Sequence, residues 1–496
     1  MIAVKKMKTL SIIVFVFSLS VQGMAQENIF LSRDFWDTKS NKVIVDQKIQ
    51  EGHDIAELNA NNFDGVTYAI LQNAPIETIQ YIQSKKGNDV NKITHDGRTY
   101  IFWAAYKGNA VLMEYFLEKG AKTDLTDDKG YSILNFAASA GQKNTAVYDL
   151  CLAHGIAIKT DFTPNGANAL LLAAPFDTDF SLINYFVAEG LALQSKDTNG
   201  NDAFNYVAKT GNIALLKEWY NKGIKGNNNA AVFASQGTRN KANGIEVFQY
   251  LESLGLKVNT TNYEEQNPLH AIAYRGKDIK LMQYFFEKGV DVNHADFESN
   301  TPFLNAAKGN DLTVLSFLFP KVNDINFKNK RGETALAIAL ANNAPEIVTF
   351  LLENNASITS LDAEGNNLSY YLMKCYSQKN SSDFERKIAL LASNKFDITK
   401  AQKNGNTLFH LALAHNDIAL LKMMNEYGIN INAKNNEALT SLHMAAMIAT
   451  DTQMLNYLIS IGAKKEIVTD FEETAYDLAL ENELLKKNNI SLDFLR

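Results

Sequence analysis

The chain has 496 residues, 46% hydrophobic and 21% charged, and its 48 Lys+Arg against 55 Asp+Glu give a formal charge of −7. That balance argues against a nucleic-acid or anionic-membrane binder, since counterion release on such partners needs a basic face. Length alone would make roughly two to four ordinary domains.

Residues 1–25 read as a secretory signal peptide. Lys5, Lys6 and Lys8 form a positive start, Leu10 to Leu19 an apolar run, and Gly23-Met24-Ala25 a small-residue cleavage site. Only about ten residues are strongly apolar, too few to cross about 30 Å of hydrocarbon, and no cysteine stands at the cleavage point to carry a lipid. The expectation is an exported chain, periplasmic or secreted, without membrane insertion after cleavage. Loss of the three signal lysines leaves it near −10.

In residues 26–62, Phe30 to Trp36 and Lys42 to Gln50 have the apolar spacing of a worn helix pair. This stretch reads as a degenerate N-terminal capping repeat that covers the open end of a stack.

The clearest unit runs from His95 to Gly130. Asp96-Gly97 is a turn dipeptide and Thr99 an N-cap, so Tyr100 to Lys107 make two turns of helix. Gly108 breaks that helix. Ala110 to Lys119 form a second one, apolar at Val111, Leu112, Tyr115, Phe116 and Leu117, and Gly120 supplies the left-handed residue that closes it. A helix of about eight residues is marginal alone in water, so the pair must stack on copies of itself.

Copies follow in phase. Taking Thr99 as a ruler, N-cap residues recur at Thr67, Ser132, Asn168, Asp202, Asn267, Thr301, Thr334, Asn367, Thr407, Thr440 and Thr474, mostly 32 to 34 residues apart. The closing glycine recurs at Gly155, Gly190, Gly223, Gly255, Gly289, Gly428 and Gly462, with Asn355 and Asn394 standing in elsewhere. Asn267-Pro268-Leu269-His270, Thr301-Pro302-Phe303 with Ala306-Ala307, Gly405-Asn406-Thr407-Leu408-Phe409-His410 and Thr440-Ser441-Leu442-His443 with Ala445-Ala446 repeat one short motif.

That motif and a period near 33 resemble the ankyrin repeat family. The resemblance covers roughly residues 30 to 486 and implies an all-α ankyrin-repeat solenoid of about 13 helix-turn-helix repeats joined by hairpin loops. It divides the chain into the cap at 26–62, a first block of repeats at 63–225, a degenerate repeat at 226–258, a second block with a C-terminal cap at 259–486, and a tail at 487–496.

Departures from the pattern are local. In 226–258 the link Ile224 to Asn229 is too short for a full hairpin and Gly237 to Gly244 lengthens the inner loop, so the array is expected to behave as two blocks. Ser377 to Lys387 reads as a polar insertion between helices, tolerated at low cost on a loop. Cys151 and Cys375, which lie in repeats far apart along the array, are expected to be buried free thiols.

No catalytic, cofactor-binding or metal-ligating set is legible. His270, His410 and His443 hold the motif's own position, where the resemblance implies a bond to the neighbouring hairpin's backbone. The other histidines show no i, i+4 pairing and no cysteine companions of the kind zinc sites need. Acidic turn residues such as Asp96, Asp128 and Glu364 tie up local N–H groups, and no phosphate loop or nucleophile elbow appears. Repeats are read over nearly every residue after the signal, so a separate catalytic domain is not expected.

Binding remains. The resemblance implies docking of a protein partner on the concave side, built from hairpin tips and the exposed ends of the first helices. Here those ends carry Tyr106, Lys107, Phe176, Lys209, Tyr274, Arg275 and Lys308, an aromatic and basic set in an acidic chain. The tips add Tyr131, Tyr263, Phe297 and Phe471, which are expected to pack against neighbouring repeats. The function expected is an exported, monomeric protein-interaction scaffold without catalytic activity or cofactor. A secreted effector acting on a host or foreign protein is the alternative, and an enzyme built on a repeat scaffold the outsider.

Overall fold

The computed structural model describes residues 28–37, 40–239 and 241–496. The signal peptide expected over 1–25 lies outside the described residues. Helices and short 3-10 turns make up the regular structure, and among the described residues there is no strand, only one isolated bridge between Thr238 and Lys241. The all-α repeat architecture is therefore the one the sequence implies.

The chain divides into two compact units. The first holds residues up to 173 together with 180–191. Its capping pair, Arg33–Asp37 and Lys42–Gln50, precedes four repeats whose first helices are Gly65–Leu71, Tyr100–Tyr106, Ile133–Ser139 and Ala169–Ala173. Each of these packs on the next, and the cap packs on the first. Phe30 and Trp36 are fully buried under the cap, and Trp36 Nε1 donates to the Phe30 carbonyl at 3.0 Å. Gly65 lies close under the cap, where a β-carbon would come within 2.9 Å of the Ile55 Cδ1 and 3.3 Å of the Trp36 ring.

The second unit holds 174–179 and 192–496. Its first helices are Ala203–Ala208, Asn229–Gln236, Pro268–Arg275, Pro302–Gly309, Ala335–Asn342, Leu368–Lys374, Leu408–Ala412, Ser441–Ile448 and Ala475–Glu481, and they pack in series. The degenerate repeat lies inside this unit as a complete helix pair, Asn229–Gln236 and Ile245–Ser253, with the first of them seated between Ala203–Ala208 and Pro268–Arg275. Its short link is secured by the Gly226 N–H, which donates to Asp202 Oδ2 at 3.1 Å.

The cap residues explain where helices start. Ser132, Asp202, Asn267, Thr301, Thr334, Asn367, Thr440 and Thr474 each accept from a backbone N–H in the first turn. Thr67 does not belong with them. Asp64 caps that helix, its Oδ1 taking the Thr67 N–H at 2.8 Å, and Thr67 lies buried one turn in.

Three further expectations are corrected. Asn355 has the left-handed backbone expected of it (φ 64), but after Ser381–Ser393 that role falls to Lys395 (φ 65), not Asn394. The surplus after Cys375 is mostly helix rather than loop: a 3-10 turn at Gln378–Asn380 leads into Ser381–Ser393, 13 residues long, whose buried face holds Phe384, Lys387, Ile388 and Leu391. Both cysteines are free, but only Cys151 is buried, while Cys375 is half-buried.

Asparagines link successive repeats. Asn310 Nδ2 donates to the carbonyls of Ala273 (2.9 Å) and Gly276 (2.7 Å), Asn343 to Ala307 (3.0 Å) and Asn310 (2.8 Å), and Asn482 to Ala446 (3.0 Å) and Ala449 (2.9 Å). Each amide satisfies carbonyls that the end of the preceding repeat's first helix leaves without a partner. Hairpin tips add backbone bonds, such as Lys330 N–H to Glu298 (3.0 Å) and Ala363 N–H to Arg331 (2.8 Å).

Candidate functional site

Most first helices are one to two turns of small and apolar residues buried over most of their length, Ala169–Ala173 and Ala203–Ala208 throughout, and residues at or just beyond their ends reach solvent. Side chains there face solvent unless a neighbour covers them.

In the first unit a neighbour does. Tyr106 is 41% exposed, but one face of its ring stacks on Phe136 (centroids 5.7 Å, planes 21° apart) and its edge meets Trp103. Lys107 follows as the half-buried C-cap. Buried Arg98 lies over the Phe136 ring at 4.0 Å and over Trp103 at 5.2 Å, and its Nε and Nη2 donate to Asp127 Oδ2 at 3.0 and 2.7 Å. Cation and ring faces are thus satisfied within the unit, and Tyr106 contributes to packing as well as to the surface.

The second unit leaves more open. Phe176 is 47% exposed. Tyr274 is 42% exposed and lies against Gly309 of the next repeat, where a β-carbon would come within 2.5 Å of its ring. Arg275 reaches back to the Gln236 carbonyl at 3.1 Å. Lys209 reaches solvent, yet partial desolvation of its ammonium and then repulsion from Arg275 lower its pKa. Lys308 is exposed and has no carboxylate within ion-pair distance among the described residues.

Two grooves open beside these residues. One, of about 340 Å³, is bounded by Gln236, Asn243, Ile272 and Arg275. The other, of about 610 Å³, runs along Pro302–Gly309, Ala335–Asn342 and Leu368–Lys374 and is lined by Lys308, Arg331, Glu333, Asn342, Tyr371 and Lys374. The structure thus places Arg275 on one groove and Lys308 on the other, and it adds Arg331, Tyr371 and Lys374, which the sequence reading did not single out.

The hairpin tips divide, and Tyr131 is half-buried. Tyr263 and Phe297 do meet each other edge to face at 5.7 Å, though both keep exposed area, and Phe471 is 85% exposed.

The motif histidines are structural. His270, His410 and His443 accept the N–H of Asn267, Thr407 and Thr440 at Nδ1, each at 3.1 Å. Nε2 therefore carries the proton and donates to Asn300, Leu439 and Ile467 carbonyls at 3.0, 3.1 and 3.0 Å. Burial lowers the pKa of all three rings, against the raising effect of those carbonyls.

Among the described residues no group of three or more His, Cys, Asp or Glu could hold a metal ion, and no helix is long and apolar enough to cross a membrane. Burial, and then the charge of Asp161, push the Cys151 thiol up to about 12, and burial raises Cys375 as well. Neither is an activated nucleophile.

A family model described as ankyrin repeats in three copies matches residues 66–161 and 269–362, and a single ankyrin repeat model matches 404–433. Among curated proteins, the palmitoyltransferase AKR1 of Lachancea kluyveri is 28% identical over 163 residues, which are 30% of this chain and 21% of that protein. The probable palmitoyltransferase AKR2 of Saccharomyces uvarum is 32% identical over 78 residues, 16% of this chain and 10% of that protein. The chain therefore spans about a fifth or less of the length of these relatives.

Proposed function

Since this is an ankyrin-repeat chain, we propose that it is an exported scaffold that captures a protein partner on the exposed ends of its first helices, without catalysis of its own. The observation that carries the reading is the row of uncovered Tyr274, Arg275 and Lys308 side chains, on successive repeats of one unit, beside two open grooves. Tyr and Arg are enriched among residues that dominate binding energy, and an acidic chain gains nothing in solubility from an aromatic and basic row. The scaffold acts as a monomer and uses no cofactor.

Affinity capture with the purified chain, followed by mass spectrometry, tests this. One protein enriched by wild type and lost with Tyr274→Ala/Lys308→Ala supports the reading. Equal capture by both removes the docking surface.

Location decides between scaffold and effector. Retention in the periplasm on fractionation fits the scaffold, and release into the medium fits a secreted effector acting on a foreign protein.

The names of the two relatives motivate a second reading, acyl transfer. Its weakness here is the absence of an activated thiol at either Cys151 or Cys375. Label transfer from a palmitoyl thioester to protein by the purified chain would establish it.

A further inference from the structure

We propose that the larger groove of the second unit binds an extended acidic peptide segment of the protein partner. The inference rests on the docking reading above and gives it a chemistry.

The groove has an uncompensated positive charge. Lys308, Arg331 and Lys374 line it against one carboxylate, Glu333. Glu333 Oε2 is already committed: it accepts from Arg331 Nε (3.0 Å), Arg331 Nη2 (2.6 Å) and Asn329 Nδ2 (2.8 Å). Burial alone would raise its pKa, but those bonds outweigh it and hold the carboxyl below the usual range, so it stays ionised and occupied. Among the described residues neither Lys308 nor Lys374 has a carboxylate within ion-pair distance. Some cations of the unit are paired, such as Lys277 with Asp311 at 2.9 Å, Lys288 with Glu252 at 2.7 Å and Arg386 with Glu346 at 2.8 Å; Lys308 and Lys374 differ from these in lining one groove together without a carboxylate partner. In a chain with more acids than bases, two unpaired ammonium groups on one groove are a local excess that a ligand can neutralise.

The groove is also built to hold such a ligand. The Lys374 ammonium lies over the Tyr370 ring at 4.3 Å and within 5.5 Å of the Tyr371 ring centre. Tyr371 is itself pinned, its hydroxyl donating to Asp362 Oδ2 at 2.8 Å. The ammonium is therefore positioned before anything binds, which cuts the ordering cost of capture. Asn305 and Asn342 use Nδ2 on the His270 and Ile338 carbonyls (3.0 and 2.9 Å), which leaves their amide oxygens as acceptors for peptide N–H groups.

Length favours an extended chain. Lys308 and Lys374 stand on first helices two steps apart, and at about 8–10 Å per packed helix about six extended residues of ~3.3 Å each span them. A polyanion as long as nucleic acid would extend beyond the groove's Lys308, Arg331 and Lys374 and meet the net negative charge of the whole molecule.

The test is fluorescence anisotropy of a labelled octaglutamate peptide titrated with the purified full chain, beside a labelled single-stranded oligonucleotide of equal charge. The peptide is expected to bind, more weakly as salt rises, and Lys308→Ala/Lys374→Ala to weaken it at least tenfold at an unchanged melting temperature. Lys288→Ala, which removes a paired cation elsewhere, should leave binding as it was. No binding, equal binding by the double variant, or tighter binding of the oligonucleotide would each overturn the proposal. If octaglutamate fails while capture of a protein is still abolished by Tyr274→Ala, the docking surface stands and the acidic chemistry falls.

Discussion

His410 and Leu439 join two successive repeats: His410 Nε2 donates to the Leu439 carbonyl at 3.1 Å while Nδ1 accepts the Thr407 N–H at 3.1 Å. Only the neutral ring can do both. In the unfolded chain the ring binds a proton near pH 6.5, whereas burial in the fold lowers its pKa. The unfolded state thus holds more protons below about pH 6.5, and acid favours it. Stability from His270, His410 and His443 is complete above that value and drains away as pH falls through the lowered folded values. Urea midpoints are expected to drop between pH 7 and pH 5, and His410→Gln should flatten that slope. A slope unchanged by the substitution would place the pH dependence in other groups.

Asn310 is expected to matter as much as an apolar core residue. Its Nδ2 serves two carbonyls of the preceding repeat, so Asn310→Ala strands both at a cost of about 1–3 kcal/mol in urea unfolding. A loss under about 0.5 kcal/mol would mean that water replaces the amide.

Trp36 closes the first unit. Trp36→Ala removes a fully buried indole and its bond to Phe30, which should cost about 3–5 kcal/mol. Because repeat stability is passed between neighbours, amide exchange should quicken first in Gly65–Leu71 and leave Pro302–Gly309 unaffected. Uniform acceleration would show the chain to unfold as one cooperative body.

Tyr106 and Tyr274 are expected to separate. Tyr106→Ala gives up a stacked pair with Phe136 worth about 0.5–1.5 kcal/mol and should lower the melting temperature. Tyr274→Ala, whose ring has no such partner among the described residues, should weaken partner capture at nearly unchanged stability. The reverse pattern in calorimetry would exchange their roles.

The repeat was legible because its signals are local. Thr301, Thr334 and Thr440 cap helices that begin at the next residue, and a cap is written into three or four consecutive positions. Thr67 misled because Gly65-Val66-Thr67 copies the spacing of Gly97-Arg98-Thr99, whereas Gly65 already lies in the helix and Asp64, three residues before Thr67, is the acceptor that caps it. The helix Ser381–Ser393 was hidden by Lys387, which is polar in sequence but buried, its Nζ donating to the Leu340 carbonyl at 2.8 Å. Asn310, Asn343 and Asn482 stand at a near-constant offset after Thr301, Thr334 and Thr474, a signal present in the sequence and overlooked. The groove could not be read in advance, since Lys277 and Lys308 differ only in that one meets Asp311 and the other meets no carboxylate among the described residues.

The docking surface itself is tested most directly by capture with Tyr274→Ala/Lys308→Ala beside wild type, at matched melting temperature. The account predicts one protein held in stoichiometric amount by wild type and absent from the variant. Equal recovery from both, or acyl transfer by the isolated chain, would contradict it.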